Sequence, residues 1–201
     1  MPPVSSNQGS LPAGPQPMQA RRMAHPVHDI ALPPDLAFSF PTVIEIPQGS
    51  SCKYQVDETT GLLRLDRVLH GAFHYPANYG FIPRTHAPDG DPLDVLVLMQ
   101  EPVVPLTVIR ARAIGGFRMV DEKGIDDKII AVAIDDPAFA DYRATEELPP
   151  HVMLEMKRFF QDYKEAEAKH SEVGSSFDRE VALDVIRAAA SAYAERHGSR
   201  R

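Results

Sequence analysis

The stretch Asp89-Gly-Asp-Pro-Leu-Asp94, running directly into Val95-Leu-Val-Leu-Met99, decides how this chain is read. Three carboxylates fall within six residues, and an apolar run of strand length follows them at once. The acids therefore sit where a loop enters a buried strand. Like charges packed this closely repel unless cations neutralise them. Hard divalent cations, Mg²⁺ above all, suit such an oxygen-only set. The segment points to metal-dependent chemistry, and to phosphate as its object.

Simpler readings fit less of it. Asp-Gly-Asp alone also describes a solvated acidic turn. An EF-hand calcium loop needs Gly at its sixth position and Glu at its twelfth. Counted from Asp89, those positions hold Asp94 and Gln100. Pro92 and the strand behind it also oppose a loop between two helices.

Composition narrows the classes. The chain has 201 residues, enough for one domain with an appendage, and 43% are hydrophobic, enough for a substantial core. Its net charge of −7 argues against nucleic acid and against anionic membranes as partners. An acidic protein still binds an anionic substrate when metal ions supply the positive charge. One cysteine, Cys52, excludes an intramolecular disulfide and fits a reducing, cytoplasmic compartment. No apolar run approaches the roughly 18 residues of a membrane-spanning helix.

Residues 1 to 24 differ in kind. Met1-Pro-Pro-Val-Ser-Ser-Asn-Gln-Gly-Ser-Leu-Pro-Ala-Gly-Pro-Gln-Pro17 cannot bury enough apolar area to offset its ordering entropy. A disordered tail is expected there, with a single domain over 25–201. The tail has no secretory h-region. It lacks acids until Asp29 and carries Arg21-Arg22, which leaves organelle targeting open.

From His25 onward the chain reads as short strands and then two helices. Thr42–Ile46 alternates, and Lys53–Asp57 and Leu62–Arg67 flank Glu58-Thr-Thr-Gly61, a hairpin signal. Leu93–Met99, Thr107–Ile114, Phe117–Val120 and Lys128–Ile134 are further strands, with Gly115-Gly116 marking a bulge or bend. Helices are expected from Pro149-Pro150 to about Lys169 and from about Asp178 to His197. Strands first and helices last indicate an α+β protein with an antiparallel sheet or closed barrel.

Other groups fall in line with the acid cluster. Asp121-Glu-Lys-Gly-Ile-Asp126-Asp127-Lys128 is a second acidic loop, able to reach the same cations if its strands are barrel neighbours. Lys53, Arg67, Lys128 and Lys164 are donors of the kind that hold phosphoryl oxygens. Each alone also reads as an ordinary surface charge. Tyr75 and Tyr79 alone read as core tyrosines. His25/His28 and His70/His74 have zinc-like spacing, but Gly71 and Pro76 oppose a helix and no third ligand is evident.

Together these motifs resemble the soluble family I inorganic pyrophosphatases. The resemblance rests on Ile44-Glu-Ile-Pro47, Lys53-Tyr54, Asp66-Arg67, Tyr75-Pro-Ala-Asn-Tyr-Gly80, Asp89–Asp94, Asp121–Lys128 and Phe159-Phe-Gln-Asp-Tyr-Lys164, in order, over residues 42 to 164. Met99–Pro102, Arg110–Gly115 and Asp127–Val132 look closest to the plant-type branch. The resemblance implies an OB-like five-stranded antiparallel β-barrel with flanking C-terminal helices, and Mg²⁺-dependent hydrolysis of pyrophosphate to two phosphates. Several ions per site are implied, with Mn²⁺ or another divalent cation as a substitute, and a homo-oligomer.

Residue by residue, Asp89, Asp94 and Asp126 resemble the principal metal ligands, Asp121 an additional one, and Asp91 the general base. Lys53, Arg67, Tyr79, Lys128, Tyr163 and Lys164 resemble the phosphate-binding group, and Glu45 and Tyr75 match supporting positions. Gln55 departs from the family, which usually has Glu there. Two rival functions share the acids: a Mg²⁺-dependent phosphohydrolase of an organic diphosphate or nucleotide, and a non-catalytic polyphosphate-binding module. The first lacks a visible motif for the organic group. Asp91 beside the full acid set argues against the second.

Overall fold

Gly- and Pro-bearing turns cut the sequence into short elements in the computed structural model, which describes residues 24–122, 124–167 and 171–198. The expected tail lies outside these residues, apart from Ala24. Eight strands form among them: β1 (Phe40–Ile46), β2 (Cys52–Val56), β3 (Leu63–Val68), β4 (Asn78–Phe81), β5 (Asp94–Leu98), β6 (Val108–Asp121), β7 (Gly124–Ala133) and β8 (Ser171–Phe177). Two α-helices follow the barrel strands, α1 (Pro150–Ala166) and α2 (Arg179–His197). Lys169, the expected end of the first helix, is not among the described residues.

Strands β1, β4, β5, β7 and β6 pair in that order, and β1 also pairs with β6, which closes the sheet on itself. Closure leaves the five strands no free edge. The closed five-stranded barrel expected from the resemblance is therefore present. It departs from an all-antiparallel barrel at one ladder, because β5 and β7 run parallel. The cause is topological: the chain crosses from β5 to β6 and returns as β7, which inserts between them. Strand β8 extends the sheet from the second half of β6. β2 and β3 form a separate hairpin beside β1.

Both faces of β5 and β7 are buried, so they read as continuous apolar runs rather than as an alternation. Val95, Val97, Ile129 and Ala131 pack with Ala182, Leu183 and Ile186 of α2. Leu96, Leu98, Ile130 and Val132 pack with Met156, Phe159, Phe160 and Tyr163 of α1. Those α1 positions follow the i, i+3, i+4, i+7 spacing of one helix face. Truncating a buried ring such as Phe160 to Ala is expected to cost about 3–5 kcal/mol. Pro150 opens α1, where a missing N–H costs nothing. The Asp178 carboxylate caps α2 by accepting from Val181 N at 3.0 Å.

Two strands gave little signal. β4 is four residues long and contains Gly80. That glycine is demanded by the fold, because a Cβ there would lie 1.9 Å from the Val43 carbonyl oxygen of β1. β8 (Ser-Glu-Val-Gly-Ser-Ser-Phe) is polar and mostly exposed, and it forms because β6 overhangs the barrel and offers a partner. The expected irregularity at Gly115 appears as a register slip between Ala113 and Gly115 within one continuous β6.

Candidate active site

Strand alternation and one hairpin gather the predicted residues. β2 and β3 set Lys53 opposite Arg67. β4 brings Tyr79, and β5 begins at Asp94, directly behind the Asp89–Asp91 turn. β6 ends at Asp121, and β7 carries Asp126 and Lys128 on one face, two residues apart. α1 adds Tyr163 and Lys164 from its last turn.

These groups line one cleft of about 300 Å³: Asp89, Asp91, Asp94, Asp121 and Asp126; Lys53, Arg67, Lys128 and Lys164; and Tyr75, Tyr79 and Tyr163. Glu45 alone of the predicted residues is not on its wall. It lines an adjoining recess with Lys53, Gln55, Asp91 and Asp94. Gln55 faces both cavities.

Lys128 is the hub of the cleft. Its ammonium is only 3% exposed with the rest of the residue, pairs with Asp126 Oδ1 at 2.6 Å, pairs with Asp94, and donates to the Tyr79 hydroxyl at 3.2 Å. Burial works against its charge, but Asp94 and then Asp126 more than offset burial and hold it firmly protonated. Asp127 points the other way and takes two hydrogen bonds from Arg118, each 2.8 Å, so it is not part of the cleft. At the far end, Lys164 Nζ donates to Asp121 Oδ2 at 2.6 Å.

Burial shapes the remaining ionisations. It raises the Asp126 carboxyl, with Lys128 opposing, and raises Asp89, with the Asp91 N–H opposing. It pushes Glu45 up to about 8, although the Val56 N–H donates to Glu45 Oε1 at 2.5 Å and Lys53 also stabilises the anion. Glu45 reaches this place because the β1–β4 register slips between Ile44 and Ile46. Lys53 is lowered by burial and then by Arg67 beside it. Burial pushes Tyr163 up to about 12 and Tyr75 and Tyr79 well above their usual range. All three therefore stay neutral, and their hydroxyls donate hydrogen bonds without adding charge.

The donor set suits a hard cation. Among the described residues, seven carboxylates, including Asp66 and Glu122, face four cationic side chains on the wall, a formal net charge of −3. Every candidate donor among the carboxylates is oxygen, the class that Mg²⁺ and its relatives take. Among the described residues, no three His, Cys, Asp or Glu side chains converge into a closed cage. The carboxylates lean instead on the ammonium groups of Lys128 and Lys164.

Sequence reasoning assigned no role to Asp66, Glu122 or Glu167. Asp66 accepts from Arg67 at 2.6 Å and lies 3.7 Å from Lys53 Nζ. Its place directly before Arg67 was the available signal. Glu167 pairs with Arg67 from the end of α1, a contact between distant segments with no local signature.

Fold and cleft together match a class of solved structures. The inorganic pyrophosphatase of Thermus thermophilus superposes with a TM-score of 0.81 at 40% identity, covering 85% of this chain and 99% of that one. The Helicobacter pylori inorganic pyrophosphatase superposes with a TM-score of 0.78 at 41% identity, covering 81% and 97%. The sequence pattern of the inorganic pyrophosphatase family matches residues 42–194, and this chain belongs to that family. The match runs into α2, beyond the Lys164 limit of the sequence resemblance. Plant relatives agree with the branch expected. Soluble inorganic pyrophosphatase 4 of Arabidopsis thaliana is 48% identical over 172 residues, 86% of this chain and 80% of the relative. A soluble inorganic pyrophosphatase of Oryza sativa subsp. indica is 51% identical over 164 residues, 82% and 77% respectively.

Proposed function

We propose that the cleft hydrolyses inorganic pyrophosphate to two phosphates with Mg²⁺. The observation that carries this reading is the joining, in one cleft, of a carboxylate cluster with net charge −3 to a wall of cationic and hydroxyl donors. A bare polyanion is repelled by such a site, whereas one brought in with divalent cations is not. The volume of about 300 Å³ lies at the small end for ligand sites and favours an inorganic anion over a nucleotide.

Asp89, Asp94 and Asp126 are the residues we assign to the metals, with Asp121 in addition. Mg²⁺ held by these residues would neutralise charge on pyrophosphate and would lower the pKa of a water. Asp91 is assigned to take the proton of that water. Lys53, Arg67, Lys128 and Lys164 hold the phosphoryl oxygens and offset the charge that grows on the leaving phosphate. Tyr79 and Tyr163 donate neutral hydrogen bonds to the same oxygens, while Glu45 and Tyr75 support the wall. Phosphate release in Mg²⁺ and in EDTA tests the metal dependence. Activity should vanish in EDTA and return with Mg²⁺, and efficient hydrolysis in EDTA would overturn it.

The catalytic unit is residues 25–201, and residues 1–24 take no part in it. The lone Cys52 supports a reducing, cytoplasmic setting. Family membership supports a homo-oligomer.

A further inference from the structure

Arg67 reaches the cleft from β3, and two carboxylates grip its guanidinium. Nε donates to Glu167 Oε1 at 2.8 Å, and Nη2 lies 2.7 Å from Glu167 Oε2. Nη1 donates to Asp66 Oδ2 at 2.6 Å. The two acids are not equivalent. Asp66 is the neighbour of Arg67 in sequence and moves with it. Glu167 caps the C-terminal end of α1, one helical turn past Tyr163, and its side chain is 4% exposed against 26% for Arg67.

A two-point carboxylate–guanidinium contact fixes the plane of the fork as well as its position. The setting makes that restraint matter. β3 is the exposed strand of a two-stranded hairpin outside the barrel, with Leu65 and Val68 each more than half exposed. A long side chain on such an arm otherwise keeps most of its rotamer freedom.

We propose that Glu167 is a positioning residue that orients Arg67 for the phosphate cleft and ties that orientation to the end of α1 bearing Tyr163 and Lys164. This rests on the reading of Arg67 as a phosphate contact. A guanidinium has five N–H donors. Glu167 takes the Nε hydrogen bond and holds Nη2 as a close ion pair, and Asp66 engages one hydrogen of Nη1. At least one donor on each terminal nitrogen is then left for phosphoryl oxygen. Glu167 touches no substrate in this scheme, and its effect on phosphate binding passes through Arg67.

A double-mutant cycle on the full chain tests this. Steady-state hydrolysis of Mg-pyrophosphate is measured for wild type, Glu167→Gln, Arg67→Ala and the double variant, with melting temperatures alongside. Glu167→Gln should lower kcat/KM about tenfold, mostly through KM. It should add nothing in the Arg67→Ala background, where there is no guanidinium left to orient. Arg67→Lys keeps the charge but loses the fork that meets both Glu167 and phosphate, and should raise KM at least as much as Glu167→Gln. That variant also decides the matter should Glu167→Gln fold poorly. Equal losses in both backgrounds, the pattern of a merely structural role, would overturn the proposal, as would a wild-type KM in Glu167→Gln. A silent Arg67→Ala in an active enzyme would remove the phosphate contact and the positioning role together. An inactive wild type would refute the functional reading itself.

Discussion

Lys128 and Asp126, two residues apart on β7, place an ammonium and a carboxylate 2.6 Å apart in the wall of the cleft. The lysine also pairs with Asp94 across the parallel ladder, so one buried cation compensates two candidate metal ligands. Lys128→Met should leave both carboxylates uncompensated. Removing one partner of such a pair costs about 3–5 kcal/mol, on the order of 10 °C in melting temperature for a chain of this size. Mg²⁺ should return more of that loss to the variant than it adds to wild type, because it supplies the missing charge. Melting curves in EDTA and in Mg²⁺ check this, and equal melting temperatures in EDTA would contradict it.

Glu45 makes stability depend on pH in an unusual direction. Its carboxyl is held near 8 in the folded chain, chiefly by burial, against an ordinary value of 4.5. Between those values the folded chain keeps a proton that the unfolded chain gives up. The stabilisation is therefore complete below about pH 4.5 and is lost as pH rises towards 8. Glu45→Gln mimics the protonated form and should remove this slope, by up to about 4 kcal/mol between the two extremes. Urea unfolding at pH 5 and pH 8 in EDTA measures it. Parallel pH dependence in the two proteins would show that Glu45 is not the group responsible.

Neighbouring acids should separate by role. Asp91 lies in the turn, whereas Asp94 starts β5 and pairs with Lys128. Asp91→Asn should retain most metal binding and lose turnover by about 10²–10⁴-fold, as expected for loss of a general base. Asp94→Asn should weaken metal binding as well. Calorimetry and rates, paired on each variant, decide between these, and near wild-type turnover in Asp91→Asn would remove it from the base role.

Gln55 offers the converse experiment. It lines the cleft beside Lys53, where the family resemblance leads one to expect Glu, and an amide attracts no cation. Gln55→Glu should lower the Mg²⁺ concentration needed for half-maximal activity, with a modest effect on the saturated rate. Mg²⁺ titrations at fixed Mg-pyrophosphate would read this directly. An unchanged or raised requirement would show that this position does not limit cation binding.

The legible parts of the molecule are those fixed by local pattern. The Val95–Leu98 run, the Thr107–Ile114 and Phe117–Val120 segments with the glycine irregularity between them, the 58–61 hairpin turn and the Pro-led start of α1 each carry their own signal. The acids and cations of the cleft were legible because their residue types cluster at strand ends. Long-range features were not. Gly80 hides a strand behind a residue of low β preference, and β8 exists only because β6 overhangs the barrel. The β5–β7 direction follows from the order of pairing, and the pairing of Arg67 with Glu167 joins two segments far apart in sequence. A register slip aims the Glu45 carboxyl into its recess, and no periodicity in Ile44-Glu-Ile46 announces it.

On the proposed function, the cleft takes inorganic pyrophosphate with Mg²⁺ in preference to larger phosphate anhydrides. Phosphate release from pyrophosphate, ATP and an organic diphosphate, measured side by side in Mg²⁺, decides this. Pyrophosphate should be hydrolysed far faster than the other two. Hydrolysis of ATP or the organic diphosphate at the same rate would contradict it and identify a broader phosphohydrolase.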